Sequence, residues 1–147
     1  MSAEELSSVV IRRFEGLRLK PYLDSIGVPT VGYGATYYQN GSRVTLLDAP
    51  ITRETAESLL IWMIRTVYLK RVLELCPTLD SDNRIAVITS FAFNCGEKNL
   101  EHSKLRRLIL ACRWSEVPDE LMKWNKAGGI VNSGLTKRRT AEGLLFG

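Results

Sequence analysis

The sequence predicts a two-lobed α+β fold: a mainly helical lobe and a small three-stranded antiparallel sheet lobe, joined by a long helix, with a cleft between them. Two observations carry this. Apolar residues recur at helical spacing through most of the chain, but from Leu17 to about Val44 they give way to short alternating segments broken by glycine, proline and asparagine. An unbroken helical pattern then runs from Thr52 to about Leu75; at about 1.5 Å per residue it exceeds ~30 Å, enough to join two lobes. A length of 147 residues sets one domain, divided into a β lobe at about 15–50, a connecting helix at 52–76 and a helical lobe at 1–14 and 77–147.

Taken in order, Ala3 to Phe14 reads as a helix, with Leu6, Val9, Val10 and Phe14 as its apolar face, Glu4 and Glu5 in its first turn, and Gly16 ending it. That leaves Glu15 at a helix end among converging carbonyls, which disposes it to keep its proton. Leu17-Arg18-Leu19 alternates, Asp24-Ser-Ile-Gly27 is a tight turn, Val31-Gly-Tyr33 continues the sheet, and Asn40-Gly41 signals a hairpin before Arg43-Val44-Thr45. Gly32 and Gly34 follow a strand with no helix behind them, so they fail the structural test for a nucleotide loop. Thr52 caps the connecting helix, whose core positions are Ala56, Leu59, Leu60, Met63, Ile64 and Val67, and Cys76-Pro77 stops it. Asp80-Ser-Asp82 caps an almost wholly apolar helix that ends at Gly96. Leu100 to Trp114, Pro118 to Trp124 and Gly134 to Phe146 complete the helices.

Composition excludes several classes. A hydrophobic content of 45% with 24% charged residues rules out a disordered chain. The net charge of +4 favours an anionic partner, yet Lys and Arg are spread along the chain and no helix-turn-helix or RNA-binding motif is present, so nucleic acid is not expected. Three cysteines, Cys76, Cys95 and Cys112, cannot all pair within one chain and lack metal spacing; they read as buried free thiols. His102, the only histidine, reads as a surface residue, which excludes histidine-based zinc clusters and disfavours a Ser-His-Asp enzyme. The first residues show no basic-then-apolar stretch of secretory type, so no leader is expected, and no run is long enough to span a bilayer. No metal or cofactor is called for.

The chemistry concentrates between Phe14 and Gly34. Glu15, Asp24 nine residues later and Thr30 six beyond that place two carboxylates and a hydroxyl around a helix end and a turn. Inverting cleavage of a glycosidic bond needs one carboxylic acid to protonate the leaving oxygen and a second, ionised carboxylate to orient and deprotonate a water. Each residue also has an ordinary structural role: Glu15 as a surface residue, Asp24 as a turn former.

The whole string, Glu15-Gly-Leu-Arg-Leu-Lys-x-Tyr-x-Asp24 with Gly27, Thr30 and Gly32-Tyr-Gly34, resembles the catalytic signature of the phage-type lysozymes, the endolysins of glycoside hydrolase family 24. The resemblance implies a lysozyme-like fold, Glu15 as general acid, Asp24 as the residue assisting water and Thr30 as the one positioning it. It implies cleavage of the β-1,4 bond between N-acetylmuramic acid and N-acetylglucosamine in peptidoglycan. Ser90-Phe-Ala-Phe-Asn-x-Gly96 also resembles the family and implies Phe93 and Asn94 as substrate contacts, with Tyr33 and Thr36 as further candidates; Tyr22, Tyr37 and Tyr38 make the β lobe aromatic. Trp124-Asn-Lys-Ala-Gly-Gly and Gly134-Leu-Thr-Lys-Arg-Arg139 resemble the closing motifs, in which an arginine approaches the glutamate. Arg138 or Arg139 serves, and Arg138 is counted with the substrate site. One departure is Ala35, where the family usually has histidine; because that residue is structural, its loss bears on local stability. A monomer is expected, held in the host cytoplasm until a separate holin permeabilises the membrane. The competing readings are a lytic transglycosylase, an inactive wall-binding homologue and, from charge alone, a nucleic-acid binder.

Overall fold

The computed structural model describes all residues, Met1–Gly147. It is mainly helical, with two small antiparallel sheets. Helix α1 (Ala3–Phe14) starts at a reciprocal cap: Ser2 Oγ accepts from Glu5 N and the Glu5 carboxylate accepts from Ser2 N, both at 3.2 Å. Its buried face differs from the expected one. Ala3, Ser7, Ser8 and Ile11 are buried, while Val9 is exposed. Both serines are small enough for a close-packed face, and the Ser7 hydroxyl is satisfied locally, Oγ donating to Ala3 O at 2.6 Å. Nor does a left-handed glycine end the helix. Glu15 itself turns extended (φ −87°, ψ 135°), and Gly16 is not among the glycines with positive φ.

Strands β1 (Arg18–Leu23) and β2 (Pro29–Gly32) pair antiparallel with Tyr22 opposite Thr30, closed by the Asp24–Gly27 turn. The expected third strand is reduced to isolated bridges, Val31 with Ala35 and Tyr37 with Arg43. Two turns leave it no length. Asn40-Gly41 reverses the chain, with Asn40 Oδ1 accepting from Ser42 N, and by Thr45 the next turn has begun. Asp48 secures that turn, accepting from Thr45 N, Thr45 Oγ1 and the Tyr38 hydroxyl at 2.7–2.9 Å. Burial, reinforced by Asp48, pushes the Tyr38 phenol up to about 12, and the bonds from Thr45 hold the Asp48 carboxyl below its usual range. Ala35 is fully buried with Val31, Val44 and Leu59. A methyl group therefore completes an apolar cluster at the position where histidine was expected, and the loop is tied down by Tyr38 and Asp48 instead.

The long helix is not continuous in register. Thr52 caps α2 (Arg53–Met63), as expected, but a π-helical turn (Ile64–Tyr68) precedes α3 (Leu69–Leu75). A π turn inserts one residue into the α repeat. Val67, predicted to face the core, is 46% exposed, whereas Tyr68 turns inward and Val72, Leu75 and Cys76 are buried beyond it. The inward face is shifted by one position.

Helix α4 (Asp82–Cys95), capped by Ser81, is buried continuously from Ala86 to Ala92 and packs against α1, α3 and the C-terminal helix. The single helix expected over Leu100–Trp114 is divided into α5 (Glu97–Glu101) and α6 (Lys104–Leu110). Ser103 divides it, accepting from Arg106 N and donating to Leu100 O. Helix α7 (Val117–Met122) carries Pro118 in its first turn; an unforeseen hairpin of β3 (Lys126–Ala127) and β4 (Ile130–Val131) follows, and α8 (Ser133–Phe146) closes the chain. The main core gathers Leu75, Ile88, Phe91, Leu105, Ile109, Leu121 and Phe146 among its members, and a smaller cluster joins Ile11, Tyr33, Ala56, Leu60 and Ile64.

All three cysteines are free, but only Cys76 is buried; Cys95 is half-buried and Cys112 exposed. Cys112 ends α6 at φ +55°, with Cys112 N donating to Ile109 O and Arg113 N to Leu108 O. This is the paired-bond helix end that normally recruits glycine. Cys112→Gly relieves a side chain from the left-handed region and is expected to raise stability by about 1 kcal/mol, read as a higher urea midpoint at unchanged slope.

Candidate active site

Glu15 stands where α1 gives way to β1, 29% exposed, and its Oε1 accepts from Arg138 Nη1 at 2.8 Å. The structure thus chooses between the two candidate arginines. It also replaces the expected surroundings of Glu15: a guanidinium, rather than a ring of helix-end carbonyls, faces the carboxylate. Arg138 is buried on α8, its guanidinium 5.7 Å from the Phe14 ring centroid, and its Nη2 donates to Ser90 O and Ser90 Oγ at 3.2 Å each.

Arg139 serves the other side. It is wholly buried, donates from Nη2 to Asn94 Oδ1 at 2.7 Å and from Nη1 to Cys95 Sγ at 2.9 Å. Burial pushes the Cys95 thiol up, while Arg139 pulls it down. Glu142, one turn further on α8, is fully buried between the two arginines and accepts from Ser90 Oγ at 2.6 Å. Burial pushes its carboxyl above the usual range against the pull of Arg139, Ser90 and Arg138.

Asp24 and Thr30 are held on opposite faces of one residue. Asp24 Oδ1 accepts from Val28 N and from Ile26 N, each at 2.9 Å, while Thr30 Oγ1 donates to Val28 O at 2.8 Å. The turn-forming role of Asp24 is therefore real, and it consumes one carboxylate oxygen only. Thr30 is 3% exposed, and its donated proton leaves the oxygen lone pairs free to accept. Glu15 shares no hydrogen bond with either residue.

The substrate candidates divide. Asn94, fixed by Arg139, lines a cavity of about 340 Å³ with Cys95, Asn99, Trp124 and Leu135. Phe93 is half-buried with its ring 4.9 Å from that of Tyr68. Thr36 is half-buried and its carbonyl accepts from Val44 N. Tyr33 is nearly buried, 4% exposed, and packs in the Ile11 cluster. A cavity of about 900 Å³ between α1 and α2 contains none of the candidate residues.

Residues 12–142 match the family model described as phage lysozyme. The chain belongs to the phage lysozyme family. It is 36% identical, over 99% of its own length and 98% of the relative's, to an endolysin of Acyrthosiphon pisum secondary endosymbiont phage 1. It is 34% identical over 99% of its length to an endolysin of Bacillus phage B103, of which it spans 54%. Among solved structures, a P22 lysozyme mutant superimposes with a TM-score of 0.86 at 29% identity, covering 99% of this chain and 98% of that one. The lysozyme-like fold is therefore established.

Against that phage lysozyme background, four residues at or behind the site escaped sequence reasoning: Ser90, Tyr68, Cys95 and Glu142. Glu142 left a trace, since it lies three and four residues after the arginines and so shares their helix face. Tyr68 left none, because its inward direction depends on the π turn. Burial, with Glu15 and Glu97 nearby, pushes its phenol up.

Proposed function

We propose that this chain hydrolyses the β-1,4 bond between N-acetylmuramic acid and N-acetylglucosamine in peptidoglycan, with inversion, as the lytic enzyme of a phage. The observation that carries the reading is the arrangement around Val28: Asp24 keeps one carboxylate oxygen outside the turn, and Thr30 keeps its acceptor lone pairs, so both are available to a water. In the proposed step the protonated Glu15 carboxyl gives its proton to the leaving glycosidic oxygen as the bond to the anomeric carbon breaks. The water attacks that carbon from the opposite face and passes a proton to Asp24. A lytic transglycosylase closes the ring with the sugar's own hydroxyl, so it has no use for a water-binding pair.

The small β lobe at about 15–50 supplies the water-side groups and the helical lobe at 1–14 and 77–147 the arginines and aromatic contacts, across the connecting helix at 52–76. Phe93 and Asn94 then meet the saccharide on the helical side, and Thr36 on the sheet side. We further assign it as a monomer that needs no metal and reaches the wall after a holin acts; no helix is long and apolar enough to cross a membrane.

Asp24→Asn tests the reading. Asparagine retains Oδ1 as acceptor for the Ile26 and Val28 amides, so the turn and the unfolding midpoint are expected to stay within about 0.5 kcal/mol of the parent. Turnover of purified peptidoglycan is expected to fall about 10²–10⁴-fold, because the amide cannot take a proton from water. Parent-like turnover would remove Asp24 from the chemistry.

A further inference from the structure

We infer that Glu142 is a positioning residue for both halves of the site: one buried carboxylate sets the directions of Arg138 and Arg139, and through them the places of Glu15 and Asn94. The inference rests on the glycosidase reading, and it is carried by geometry. Arg138 Nε lies 3.6 Å from Glu142 Oε2, and Arg139 Nε lies 2.8 Å from Oε1, the latter without hydrogen-bond alignment. Oε2 also receives Ser90 Oγ at 2.6 Å and Arg139 Nη2 at 3.4 Å. The same two guanidinium groups also reach outward, Arg138 Nη1 to Glu15, and Arg139 Nη2 to Asn94 and Nη1 to Cys95.

Two adjacent arginines, both essentially without solvent, repel each other and would separate if nothing lay between them. Glu142 lies between them. With Glu15 it brings the buried site to two cations and two anions. The groups facing it are Arg138 and Arg139 on its own helix and the Ser90 hydroxyl of α4; Glu15 of α1 is reached only through Arg138, and the Cys95 thiol of α4 through Arg139. From α7, Pro118 approaches the adjacent Gly143 and brings no charge.

Buried ion pairs are poor stabilisers compared with apolar side chains of like volume, because desolvation offsets their attraction. A role limited to the fold would therefore be filled as well by leucines. A positioning role would not. This difference makes the inference testable in three variants of the full chain.

Glu142→Gln keeps the volume and an acceptor for Ser90 but removes the charge. Turnover is expected to fall roughly tenfold, in keeping with a small displacement of catalytic groups. Glu142→Asp, which keeps the charge, is expected to recover part of that loss. The double variant Arg139→Leu with Glu142→Leu removes the pair together; it is expected to match the parent in urea midpoint yet remain about tenfold slower with a raised KM, since Asn94 has lost its anchor.

The experiment is the kinetics of muropeptide release by parent and variants, with the side-chain guanidinium ¹⁵N–¹H resonances of Arg138 and Arg139 followed in parallel by NMR. Slowly exchanging, well-dispersed guanidinium protons in the parent, lost for Arg138 in Glu142→Gln, are the expected result. A Glu142→Gln turnover equal to the parent's, or a double variant with parent kcat and KM, overturns the inference while leaving the glycosidase reading standing. A parent that releases no muropeptides overturns that reading instead, and the resonances then decide alone whether Glu142 holds the arginines.

Discussion

Glu15→Gln is expected to release muropeptides from peptidoglycan about 10²–10⁴-fold more slowly than the parent, a loss of about 2.7–5.4 kcal/mol of transition-state stabilisation. The size follows from what glutamine keeps and what it lacks. Its amide oxygen can still accept from Arg138 Nη1, the contact that holds the parent side chain at 2.8 Å, so the group stays in place. It has no acidic proton to give, and the leaving sugar must depart as an alkoxide or wait for water. Because the side chain is partly exposed and the backbone at Glu15 is already extended, circular dichroism should be unaltered. Binding of the glycan strand should survive as well, so the loss appears in kcat and leaves KM nearly unchanged. An equal rise in KM would instead mark Glu15 as a binding group.

Phe91→Ala is expected to cost about 3–5 kcal/mol, a large part of the ~5–15 kcal/mol that holds an ordinary domain together. Phe91 is fully buried at the centre of the main core, its ring edge-on to Trp124 at 5.3 Å and beneath the Arg139 guanidinium at 5.3 Å. Truncation leaves a cavity that rigid neighbours cannot close, since α4 is buried continuously from Ala86 to Ala92. Urea unfolding measures the cost directly, and Trp124 emission reports the loss of its aromatic neighbour. A cost under about 1 kcal/mol would mean that the core collapses around the gap. The effect also reaches the site, because the turn of α4 that follows Phe91 carries Phe93 and Asn94.

Much of this was legible in the chain itself. Most of the helical stretches, the glycine-broken sheet region and the caps at Thr52 and within Asp80–Asp82 follow from side-chain spacing and local hydrogen bonding, and the structure repeats them. What escaped reading depends on contacts between distant parts. The apolar repeat from Ala56 to Val67 is as regular as that of any α-helix, and nothing in it announces the π turn that exposes Val67 and admits Tyr68. The face of α1 was misread because hydrophobicity favours Val9 over Ser7, whereas close packing against α4 favours the smaller residue. Tyr33 looked available beside glycines and was buried by α2 packing across it. Arg138 and Arg139 could not be told apart by spacing, since adjacent residues on a helix diverge by about 100° and only the partner decides which one is used. The structure gives Arg138 to Glu15 and Arg139 to Asn94.

The central claim, hydrolysis driven by a Glu15 acid with a water held by Asp24 and Thr30, is tested most directly by mass spectrometry of the soluble products from purified peptidoglycan, comparing the parent with Glu15→Gln. Muropeptides with intact reducing ends are expected from the parent and almost none from the variant. Products carrying 1,6-anhydro ends would contradict it, since they arise without water and leave Asp24 and Thr30 no part in the reaction.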